Sequence, residues 1–220
     1  MKMHDPLRNN QINKPMRHFL PIYQSLDPAE IARRCNLEFN DEEFSLRLLG
    51  AEYSVPHPGF ALCGKDTADP DELILIIRYL CEGKWFPFQG RQLSYHEIPW
   101  GEVYYRNFER HCLKRCAFAF GRDTAAFTRM IQCNPQLRAE PQKTGDASFR
   151  IEFINDLYIT IILWQGDDEF PPSAQILFDD NFVFAFTAED LAVAGQVIIN
   201  RLKKLSCMTG GGCSENRRTI

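Results

Sequence analysis

An α+β fold, with a mostly antiparallel sheet and helices packed on one of its faces, is what this sequence predicts. Three observations lead there. Apolar residues recur at helical spacing behind Asp-Pro and Thr-Ala-Glu-Asp starts. Through residues 149–186 they alternate instead with period two. Short turn signals separate those alternating runs. A chain of 220 residues, 45% hydrophobic and 25% charged, is long enough for one sizeable core and short for two full domains. The expected organisation is an N-terminal arm over 1–21, a single domain over 22–206 and a flexible tail over 207–220.

In chain order, residues 1–21 are polar, rich in asparagine and without an amphipathic period, and are expected to form a mobile arm. Asp27-Pro28-Ala29-Glu30 opens a helix. Asp is the N-cap, Pro occupies the first helical position, and Glu stands three after the cap. The arrangement returns at Asp69-Pro70-Asp71-Glu72, followed by Leu73, Ile76, Ile77 and Leu80, with Gly83 as the stop. Between these helices Phe44, Leu46 and Leu48, then Tyr53 and Val55, alternate about Gly50 as a hairpin would.

Residues 84–100 hold Trp85, Phe86, Phe88, Tyr95 and Trp100. Large apolar groups left in water forfeit roughly 1.5–3 kcal/mol each, so this stretch caps the core or lines a pocket. From Gly101 to about Gln132 the period is helical, with Tyr105, Phe108, Cys112, Cys116 and Ala119 on one stripe and Arg106, Arg110 and Lys114 on a ridge opposite. Gly121 interrupts it and Asp123 caps a second segment. Residues 134–147 read as a loop.

The last third reads as a meander. Phe149, Ile151 and Phe153 alternate, Asn155-Asp156 turns, and Tyr158 to Trp164 runs back. A strand over Ala174–Asp179 follows, and Phe182, Phe184 and Phe186 read as one face of a further strand. Thr187-Ala188-Glu189-Asp190 opens the final helix, with Leu191, Ala194, Ile198, Leu202 and Leu205 on one face.

Composition narrows function. A net charge of −4 speaks against a general nucleic-acid or anionic-membrane binder. No apolar run approaches the roughly 20 residues that span a bilayer, and the N-terminus lacks a signal-peptide core, so a cytoplasmic location is expected. Eight cysteines without a secretion signal read as reduced thiols, and there is no Cys-x-x-Cys pair. His111, Cys112 and Cys116 cannot converge on a metal, because His111 lies about 140° around a helix from Cys116. Cys207 and Cys213, flanking a glycine-rich tail, make half a metal site at best.

The densest stretch is Trp164 to Asp179, where Gly166, Asp167, Asp168, Glu169 and the Phe170-Pro171-Pro172 run join two strands. The three carboxylates can hold a divalent cation or serve as acid and base; alternatively they accept bonds from loop N–H groups. Asp179 and Asp180 lie roughly 17 Å further along the strand and cannot join them. Trp164 is expected to point with Tyr158, Thr160 and Ile162, its indole N–H partnered by a nearby carboxylate.

These surroundings resemble an uncharacterised bacterial and archaeal family, the domain of unknown function 3786. The likeness is carried by Ile77-Arg78-Tyr79-Leu80, Leu93 to Ile98 with Gly101 and Tyr105, Phe118-Ala119-Phe120-Gly121, Gly145 to Ser148 and above all Trp164 to Asp179. It covers roughly residues 22–206. It implies a soluble domain found largely in anaerobic microbes and no activity, cofactor or catalytic residue to carry over.

Three functions stay open. The leading one is a non-catalytic ligand- or cofactor-binding accessory protein, its cofactor unidentified. Its pocket would lie between the 84–100 stretch and the Trp164–Pro172 loop, using Trp164, Asp167, Asp168, Glu169, Trp85 and Tyr95. The second is an enzyme drawing its acid, base or metal ligands from Asp167, Asp168 and Glu169. The third is a protein-interaction module presenting the aromatics. The partner expected is a small molecule or another protein, with no nucleic acid and no membrane; no catalytic or metal-ligating residue stands out from spacing.

Overall fold

The protein is described from a computed structural model covering residues 6–61, 63–64 and 69–209. It opens with helices α1 (Pro6–Ser25) and α2 (Pro28–Cys35) and strands β1 (Phe39–Asn40), β2 (Glu43–Leu48), β3 (Ala51–Pro56) and β4 (Cys63–Gly64). Helix α3 (Pro70–Glu82) and strand β5 (Gln92–Ser94) follow. Then come α4 (Gly101–Phe108), a π-helical turn (Glu109–Leu113), α5 (Lys114–Phe120) and α6 (Thr124–Gln132). The last third holds β6 (Glu140–Pro141), β7 (Ala147–Ile154), β8 (Leu157–Trp164), β9 (Ser173–Asp179), the short α7 (Phe182–Ala185) and α8 (Ala188–Thr209).

Nine strands make one sheet in the order β4-β3-β2-β7-β8-β9-β5, with β1 added to β2 and β6 to β7. All pairs are antiparallel. Alternation decides which face is covered. Ile151, Ile159, Ile161, Leu163, Ile176 and Phe178 are buried on the helix side. Phe178 meets Phe108 and Phe182, and Phe149 meets Phe127 of α6. The opposite face carries Arg47, Arg150, Glu152 and Tyr158. There the Arg150 guanidinium forks onto the buried Asp179, reaches Glu140 at 2.7 Å, and lies 3.9 Å from the Tyr158 ring centre. The chain is thus an α+β unit with one helical face.

The helix starts work as their residues require. Asp27 accepts the N–H of Ala29. Asp69 accepts that of Asp71, while Glu72 accepts the Asp69 N–H at 2.9 Å, closing a capping box. Thr187 and Asp190 make the corresponding exchange before α8. The turn at Asn155-Asp156 has φ of 31° and 64°, the left-handed pair that a two-residue hairpin takes.

Three expectations are corrected. Residues 6–21, expected as an arm, belong to α1; Met16, Phe19, Leu20 and Tyr23 recur at helical spacing and pack on the core, and Tyr23 donates to the Pro56 carbonyl at 3.0 Å. Residues 1–5 lie outside the described residues. Phe182, Phe184 and Phe186 do not form a strand: Asn181 leads directly into α7, which buries Phe182 and turns Phe184 outward, 51% exposed, while Phe186 is buried just past its end. Helix α8 continues through Cys207 to Thr209, past the expected start of the tail, while Gly210–Gly212 and Cys213 lie outside the described residues.

Candidate cleft beside the acidic loop

The structure does not gather the six candidate site residues. Strand β9 separates them. Trp164 pairs with Ser173 at its start, whereas the Asp180 carboxylate just past its end accepts the N–H groups of Gln89 and Arg91. Six residues of strand put these ends roughly 20 Å apart. Trp85 sits at the far end, its backbone N–H donating to the Arg34 carbonyl. Tyr95 is core: it is buried, stacks on Phe108 at 4.0 Å and donates its hydroxyl to the Ala188 carbonyl at 2.6 Å. The expected pocket between the 84–100 stretch and the acidic loop is therefore not formed.

Trp164, Asp167, Asp168 and Glu169 do share one loop, and its shape has a local cause. The Asp167 carboxylate accepts the N–H groups of Phe170 at 2.7 Å and Glu169 at 2.9 Å. Those bonds hold its pKa below the ordinary carboxylate range, the Phe170 bond first. Asp167 is thus a clasp for its own turn, while Asp168 and Glu169 face water. Among the described residues no group of three His, Cys, Asp or Glu comes together as metal ligands would.

The clasp delivers the proline pair to the helices. Pro172 packs between two glycines: a Cβ on Gly166 would lie 2.5 Å from the Pro172 ring, and one on Gly121 would lie 2.6 Å from it. Gly166 also donates its N–H to the Gly121 carbonyl at 3.3 Å. The loop is thereby sewn to the α5–α6 junction, and a cleft of about 520 Å³ opens between the proline pair and the α4–α5 helix. Tyr105, Leu113, Ala117 and Phe118 line the helix side; Pro171, Pro172, Ser173 and Ala174 line the loop side. Glu109, Lys114 and Arg122 supply the charges. Phe118 stands 75% exposed there, with Phe170 nearby in sequence to the proline pair at 67%.

The helix side of the cleft was only half visible in the sequence. Phe118 continues the Arg106, Arg110, Lys114 ridge at the same spacing of four, an aromatic where a solvated face predicts another charge. That break in the polar ridge was the available signal. What the sequence did not disclose is the π-helical turn at Glu109–Leu113, a feature that recurs at functional sites.

Two other clefts lie among the described residues. One of about 540 Å³ runs over the outer face of β2–β3, between Asn36, Glu38, Ser45, Arg47, Glu52 and Asp156, and is mostly polar. One of about 260 Å³ lies between Arg78, Trp100, Phe184 and Asp190, with the Phe86 ring tilted against Phe184 at 4.4 Å.

Among the described residues, the buried cysteines offer no reactive centre. Cys35, Cys81, Cys112 and Cys116 are free and buried, and burial pushes their thiols up to about 12, 11, 12 and 12. Cys112 and Cys116 lie on the core stripe, and His111 faces solvent. Cys133 and Cys207 are exposed. No helix among the described residues is long and apolar enough to cross a membrane.

Comparison with curated proteins returned no match, and comparison with solved structures returned none. A family model does match, over residues 27–201. That span runs from the N-cap of α2 to within α8 and includes both walls of the cleft, where the Phe118–Gly121 and Trp164–Asp179 stretches meet. The chain belongs to the family described as a domain of unknown function (DUF3786).

Proposed function

We propose that this is a non-catalytic binding protein whose ligand occupies the cleft between α4–α5 and Pro171-Pro172. The observation that supports the reading is the cleft's make-up. Its volume of about 520 Å³ falls in the range of small-molecule sites, and its walls are largely apolar with a few polar groups at the rim. Phe118 is left uncovered beside it, although an aromatic of that size loses by standing in water. Both walls are made of ordered, sewn elements, which limits the ordering cost of binding. The acids of the loop, in this reading, shape the wall and do not perform chemistry.

The test is chemical-shift mapping on the isotopically labelled protein with a mixture of small aromatic and aliphatic fragments. Shifts concentrated at Leu113, Ala117, Phe118 and Ala174 support the reading. Shifts confined to the outer face of β2–β3, or to Trp100 and Phe184, would move the site elsewhere and retire it. Native mass spectrometry of anaerobically purified protein then identifies what travels with it, and Phe118→Ala should release that species.

A further inference from the structure

Resting on that reading of the cleft, we infer that its ligand is a small amphipathic acid, with an acyl or aryl body against the apolar walls and a carboxylate at Arg122 and Lys114. The argument is one of charge complementarity. The lining holds two cations, Lys114 and Arg122, against one anion, Glu109. Lys114 also meets Glu109 at 3.3 Å and shares its charge with it, so the lining keeps a net excess of one positive charge. Arg122 makes no ion pair among the described residues and lines the same cleft. Arg106 and Arg110 continue the positive ridge along the helix, again without an ion pair among the described residues.

The chain as a whole is acidic, at −4, so this local excess runs against the average and selects for anions. The acidic loop does not cancel it. Asp167 is committed to its own turn, and neither Asp168 nor Glu169 lines the cleft. A planar guanidinium beside an apolar slot suits a carboxylate, which it can bind through two N–H groups at once. A purely apolar ligand would leave Arg122 unused, and a cationic one would meet it as a like charge.

The experiment is calorimetric titration of the full chain with decanoate, decanol and decylamine, each below the concentration at which it forms micelles. Decanoate should bind most tightly. Arg122→Gln should weaken decanoate roughly tenfold while leaving decanol unchanged, and Lys114→Gln should act in the same direction. Added salt should weaken decanoate alone. Phe118→Ala should weaken decanoate and decanol together. If decanol and decanoate bind equally and Arg122→Gln changes neither, the carboxylate inference fails while the cleft reading stands. If none of the three binds, or Phe118→Ala leaves all affinities untouched, both fail.

Discussion

Adding one methyl group at Gly166 should unfasten the acidic loop. The Cβ of Gly166→Ala would stand 2.5 Å from the Pro172 ring carbon and 2.6 Å from its nitrogen, where ordinary contact begins at 3.4 Å. The two sides of the loop must part by nearly 1 Å. Overpacking of this kind costs about 1–3 kcal/mol. The loop lies at the surface, where its neighbours are partly water, which places the expected loss in the lower half, about 1–2 kcal/mol. For a chain of this length each kcal/mol lowers the melting temperature by about 2–4 °C.

Gly59→Ala is the control. Its added carbon meets nothing closer than 4.0 Å, at Pro56, and its change should stay within about 0.5 kcal/mol. Gly121→Ala strikes the same Pro172 from the other side, at 2.6 Å, and also the Ala117 carbonyl at 2.8 Å. The two substitutions share a partner, so the double variant should cost less than their sum. Urea unfolding of the parent and the four variants decides the matter. If Gly166→Ala behaves like Gly59→Ala, or if the double variant is strictly additive, Pro172 is not the peg that holds the loop.

Other expectations follow from particular contacts. Phe182→Asp should cost several kcal/mol, since it places a charge among Phe153, Phe178 and Phe186, whereas Phe184→Asp, half exposed on the outer side of α7, should be nearly neutral; equal urea midpoints would restore the strand reading. Asp167→Asn should loosen the loop with little effect on the rest, and Asp168→Asn should do neither. Because the folded pKa of Asp167 lies below the ordinary carboxylate value of about 3.9, its bonds contribute above that pH and are lost as pH falls through the depressed value; loop-amide exchange that stays flat on acidification would contradict this. Residue-resolved alkylation at pH 8 should label Cys133 and Cys207 first and Cys35, Cys112 and Cys116 last, and the reverse order would mean that the helical face opens.

Local signals carried most of the architecture, because caps and turns are decided by side chains a few residues apart. Asp27, Asp69, Asp123 and Thr187 each bond the backbone that their positions predict. Period-two alternation likewise placed β7, β8 and β9. It failed at Phe182-Val183-Phe184, where alternation over three residues cannot be told from the start of a helical turn, and tertiary packing of Phe182 on Phe153 and Phe178 settles the outcome. The arm failed for a similar reason: Pro15 and Pro21 argue against a helix, and contacts distant in sequence, such as Phe19 beneath the Arg78 guanidinium at 5.2 Å and Tyr23 on the Pro56 carbonyl, hold one there. The site was legible in one wall only. Trp164 to Pro172 announces itself by composition, but nothing local says that Pro172 reaches Gly121, more than forty residues earlier.

The π-helical turn is the remaining piece, and it makes a prediction that runs against intuition. Phe108, Cys112, Cys116 and Phe120 are spaced by four, a pattern that drifts about 40° per step in an ideal α-helix and about 120° over the set. Yet all four are buried. The turn at Glu109–Leu113 takes extra residues to close, delays the winding and keeps the stripe on the core. It keeps the outer ridge Arg106, Arg110, Lys114 and Phe118 straight by the same means. Deleting Arg110, which is exposed and makes no ion pair among the described residues, should turn this stretch into plain α-helix. The core spacing then becomes three, four, four, which an α-helix also holds on one face. Stability should therefore hold or rise. The cleft should not survive intact, because Tyr105, Glu109 and Leu113 change their mutual rotation and the helix beyond them moves by about 1.5 Å against Pro171 and Pro172. A deletion variant that melts like the parent but no longer distinguishes decanoate from decanol would tie the π turn to binding. One that fails to fold would show that the turn is needed for the core itself, and one that binds as before would separate it from the cleft.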